Sequence, residues 1–71
     1  MDAYIVFKSV HDVMKMDAIL SETTLEYKLV PVPRKISESC GISIKMAETA
    51  ADDFMRIADE HGAEFQKIII L

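Results

Sequence analysis

Cysteine occurs once in this 71-residue chain, at Cys40. A single thiol excludes an internal disulfide, and one Cys with two His falls short of a structural zinc set. Neither a metal nor a cofactor is therefore expected. Long apolar runs are also missing. The longest, Ile68-Ile69-Ile70-Leu71, is far too short to cross a bilayer. No basic region precedes the first apolar stretch, so no export signal is expected, and a lone thiol without one reads as cytoplasmic. Basic charge is scarce too: eight Lys and Arg stand against twelve Asp and Glu, a net charge of −4. Phosphate binding needs a basic face, and no aromatic residues alternate with basic ones, so nucleic acid is not an expected partner. Linkers, low-complexity stretches and charge blocks are absent, which leaves one domain over residues 1–71.

What is present is a core. Apolar residues make up 51% of the chain, with five Met and three Phe as filling volume. A core in so short a chain is marginal. Association with a second subunit is one way to support it, so a homodimer is among the expected states.

The hydrophobic pattern reads as six elements. Residues 3–8 are β-branched and aromatic, which predicts a strand. Ser9 is placed to cap a helix over 10–22, whose apolar side is Val10, Val13, Met14, Met16 and Leu20. Residues 25–32 read as a second strand, and Pro31 puts it at a sheet edge. Residues 33–40 are polar apart from Ile36 and read as a loop. Gly41 opens a third strand of period two, with Ile42, Ile44 and Met46 on one face and Ser43 and Lys45 on the other. A second helix is predicted over 48–61, with Ala47, Ala50, Ala51, Phe54, Ile57 and Ala58 inward and an Asp52–Arg56 pair outward. Gly62 reads as its terminating glycine, and a last strand spans 64–70. The remaining Met residues are expected in the core.

Strand, helix, strand, strand, helix, strand is the order of the split βαβ, ferredoxin-like α+β sandwich: a four-stranded antiparallel sheet with two helices on one face. In that topology the second strand ends, and the third begins, at the end of the sheet where the first helix starts. Cys40 is thereby expected near Ser9, Val10 and His11. A helix N-terminus offers unpaired N–H groups and partial positive charge, which favour a thiolate. Arg34, Lys35 and protonated His11 would add to that effect.

The run Val30-Pro31-Val32-Pro33-Arg34-Lys35-Ile36-Ser37-Glu38-Ser39-Cys40-Gly41-Ile42, with the early turn Phe7-Lys8-Ser9-Val10-His11-Asp12, resembles the selenium/sulfur carrier-like family of small bacterial domains. The resemblance runs from about Tyr4 to Met46. It implies a cysteine that holds sulfur or selenium as a persulfide or selenosulfide, and protein partners that donate and accept it. The Cys-Pro-x-Pro motif of better-known small sulfur carriers is not matched, since Pro31 and Pro33 precede the cysteine and Gly41 follows it.

Each candidate also has a plainer reading. Cys40 shares its parity with Ile42 and Ile44, so it could be a small core residue. Gly41 could supply a positive φ or close backbone approach to a ligand, or be a simple turn residue. Arg34 is a candidate anion clamp or an ordinary solvated arginine. Ser39 could donate to a bound anion or cap a turn. His11 could pair with the thiolate or simply face solvent. His61 is expected to complement a helix C-terminus. Two functions follow. The first is a thiol carrier or accessory protein rather than a stand-alone enzyme, with Cys40 reacting and Arg34, His11, Gly41, Ser9 and Ser39 in support. The alternative is a non-catalytic binding or regulatory module that acts through dimerisation and a sheet face lined by Val6, Val30 and Val32.

Overall fold

The computed structural model describes residues 1–32 and 41–71; Cys40, Arg34 and Ser39 lie outside the described residues, as do Lys35 and Ser37. The described chain runs β1 (Asp2–Val6), α1 (Val10–Leu20), β2 (Lys28–Pro31), β3 (Ile42–Ala47), a 3₁₀ turn (Glu48–Ala50), α2 (Ala51–Glu60) and β4 (Lys67–Ile70). The strands form one sheet in the order β2-β3-β1-β4, with every neighbouring pair antiparallel. This is the expected ferredoxin-like α+β arrangement.

Alternation divides the sheet into two faces. One presents Ala3, Ile5, Phe7, Ile44 and Met46 to both helices. These residues form a single buried cluster with Val13, Met16 and Leu20 of α1 and Phe54, Ile57 and Ala58 of α2. The other face carries a row across all four strands in direct register: Lys28, Lys45, Tyr4 and Ile69. Lys45 pairs with Asp2 at 3.5 Å, and its ammonium sits 6.0 Å from the Tyr4 ring centroid.

Several expected boundaries shift, each for a packing reason. β2 begins at Lys28 rather than at residue 25. Leu25 and Tyr27 instead pack against the core. Thr23 Oγ1 shapes that turn by donating to the Leu20 carbonyl at 2.7 Å and accepting from Leu25 N–H at 3.2 Å. β4 begins at Lys67 rather than at residue 64, because Phe65 stacks edge-on against Phe54 at 5.1 Å. The apolar side of α1 proves broader than its buried stripe, since Val10 and Met14 are each 50% exposed. Met16 and Met46 are core residues, whereas Met1, Met14 and Met55 face solvent. Arg56 pairs with Asp53 at i,i+3 and with Glu60 at i,i+4, rather than with Asp52. Ser43, expected on the outer face, is fully buried; its hydroxyl donates to the Val30 carbonyl at 3.3 Å. Val6 is fully buried as well, so it lines no exposed face. Both occupy inner strands with neighbours on either side. Pro31 does lie on an edge strand, as its missing N–H requires.

Candidate functional site

The end of the sheet where β1 passes into α1 gathers the described part of the predicted site. Val6 is opposite Ser43, and Pro31 is opposite Ile42. One step further out, Val32 N–H donates to the Gly41 carbonyl at 3.1 Å. The chain therefore leaves the sheet at Val32 and returns at Gly41 as hydrogen-bonded neighbours. The next strand in the sheet is β1, which climbs through Phe7 and Lys8 to the start of α1.

Ser9 caps that helix as its sequence position predicts. Its backbone is extended, and its side-chain oxygen accepts from Asp12 N–H at 3.2 Å. One of the orphan donors of the first turn is thus already satisfied. Asp12 also sets a carboxylate into the same turn. The positive field at this helix start is therefore weaker than a bare N-terminus would give. His11 is the second residue of α1 and is exposed. Gly41 is exposed, and Gly62 is a glycine in the left-handed region, with φ 60°. A Cβ at Gly41 would meet nothing within 4 Å among the described residues.

Sequence reasoning passed over Lys8. It is exposed, immediately precedes the cap, and has no ion-pair partner among the described residues. With Asp12, Ala63, Glu64 and Phe65 it lines a shallow cleft of about 250 Å³. The signal was present in the sequence, as a cation next to a capping serine, but a solvated lysine at a strand end looks the same. His61 behaves as expected: Nδ1 lies 3.0 Å from the Ile57 carbonyl at the end of α2.

No group of three or more His, Cys, Asp or Glu residues could hold a metal among the described residues. None of the described helices is long and apolar enough to cross a membrane.

A family model described as "Putative Se/S carrier protein-like" matches residues 2–70. No curated protein and no solved structure matches the chain. With nearly its whole length matched, the chain belongs to the Se/S carrier protein-like family.

Proposed function

We propose that the protein is a small thiol carrier whose Cys40 transiently holds sulfur or selenium in transit between partner enzymes. The observation that carries this reading is the family match over residues 2–70. The geometry of the flanking residues supports it: Val32 and Gly41 are hydrogen-bonded to one another at the end of the sheet where β1 passes into Lys8, Ser9 and His11. A carrier needs an accessible thiolate and a nearby cation rather than a deep pocket. The Cys40 thiolate attacks the terminal sulfur of a donor persulfide. The new bond gives Cys40–S–SH, the donor's S–S bond breaks, and the donor cysteine leaves as a thiolate. An acceptor thiolate repeats the step in the same sense. A donor selenosulfide transfers selenium in the same way. Arg34, His11, Gly41, Ser9 and Ser39 are the supporting residues in this reading, and Lys8 joins them.

The test is the rate of Cys40 alkylation as a function of pH, together with mass spectrometry after incubation with a persulfide-bearing donor enzyme. An apparent pKa well below the free value of ~8.5 and a gain of one sulfur atom, lost on reduction, are expected. A thiol that resists alkylation in the folded protein and gains no sulfur would overturn the reading. In that case the binding-module alternative, acting without Cys40, would predict unchanged partner binding for Cys40→Ser.

A further inference from the structure

The two edges of the sheet are guarded unequally. β2 carries Pro31, which has no N–H to offer, and Lys28. Both discourage strand addition. β4 is Lys67-Ile68-Ile69-Ile70, followed by Leu71, and Lys67 is its only charge. Asp2 and Leu71 exchange both backbone hydrogen bonds at 2.9 Å. Bonded and non-bonded pairs alternate along an antiparallel ladder. Counting back from Leu71, Ile69 bonds toward β1, while Ile68 and Ile70 turn their N–H and C=O groups off the edge. β4 ends the sheet on that side, and Ile70 is 37% exposed there.

We propose that β4 is a self-association edge, through which two copies pair antiparallel about a two-fold axis at Ile69 and form one continuous sheet. In this register Ile68 exchanges both bonds with the partner's Ile70, and Ile70 does the same with the partner's Ile68. Every outward donor and acceptor of the pair is then satisfied. Apolar side chains also meet their own kind on both faces, since Ile69 lies against the partner's Ile69. The second occupant is this chain itself because the edge is self-complementary, and an isologous contact closes at two copies. Growth through the opposite edge is stopped at Pro31. Three paired residues on each strand, Ile68, Ile69 and Ile70, bury less than a standard interface of ~1,600 Å², so the dimer is weak, with a dissociation constant on the order of 10–100 µM.

Sedimentation equilibrium of the reduced chain, from about 10 µM to about 1 mM, reads the association directly. A shift from the 8.0 kDa monomer to twice that mass is expected. Ile70→Pro removes an N–H that bonds nothing within the protomer, so the variant should keep its circular dichroism spectrum and remain monomeric. A second probe does not rely on proline. In a Cys40→Ser background, Ile69→Cys should oxidise to a covalent dimer, because paired residues at a non-bonded position stand ~4.5 Å apart at Cα, within disulfide reach. Leu29→Cys on the β2 edge should not. A monomer over the whole concentration range would overturn the proposal. So would a folded Ile70→Pro dimer, or equal cross-linking from both edges. None of these outcomes depends on the chemistry of Cys40.

Discussion

At the scale of single residues, Tyr27 is the clearest case of a side chain whose surroundings set its chemistry. Its hydroxyl donates to Asp17 Oδ1 at 2.6 Å, with the Asp17 carbonyl 3.1 Å away. Burial, the hydrogen bond to Asp17 and the Asp17 charge together push the phenol up from 10.0 to about 12. The folded protein therefore keeps a proton that the unfolded chain gives up. The stability this provides is complete below pH 10 and is lost as pH rises toward about 12. Chemical denaturation at stepped pH should show a steeper alkaline loss for the wild type than for Tyr27→Phe. Gly41 gives a second residue-scale expectation. With no atom of the described residues within 4 Å of where its Cβ would stand, Gly41→Ala should change stability by no more than about 0.5 kcal/mol. If the same variant slows sulfur transfer, as read by mass spectrometry, the cause is close approach by a partner rather than damage to the fold.

Elements were legible in the sequence where one face of a strand or helix had to be apolar. The alternation through Ile42, Ile44 and Met46 and the Phe54-Ile57-Ala58 stripe specified β3 and the body of α2, though the helix expected from residue 48 opens with a 3₁₀ turn over Glu48–Ala50. The end of α2 was equally readable: Gly62 has φ 60°, its N–H donates to Asp59, and Ala63 N–H reaches back to Ala58 at 2.9 Å, a Schellman motif. Gly62→Ala should cost about 1–2 kcal/mol in a denaturant titration, because only glycine is at ease in that conformation. Strand starts were harder to read. Tyr27 and Phe65 look like strand residues, since aromatic side chains favour strands, but each finds a helix-side partner before its backbone finds a strand. Of the site, the Ser9 cap could be read because capping is local, whereas Lys8 gained meaning only once β1 and β3 were neighbours. The register also exposes a tension no local pattern revealed: Lys28 and Lys45 are directly opposite on adjacent strands. Like charges so placed repel, and Lys28→Glu should add roughly 0.2–1 kcal/mol, an increment that thermal melts should show shrinking with added salt.

On the scale of the whole molecule, the hydrogen bond from Val32 to Gly41 separates two inheritances. The register of β2 on β3 is dictated by which side chains must face the helices, chiefly Ile44 and Met46, and not by the eight residues that intervene between Val32 and Gly41. Closing a longer connection costs little, about 0.6 kcal/mol for each doubling of length. Duplicating 33–40 should therefore leave the melting transition of the protein nearly where it was while abolishing or redirecting the proposed transfer through Cys40. Selection is thereby free to rewrite this segment, in length as well as in composition, without renegotiating the sheet on either side of it.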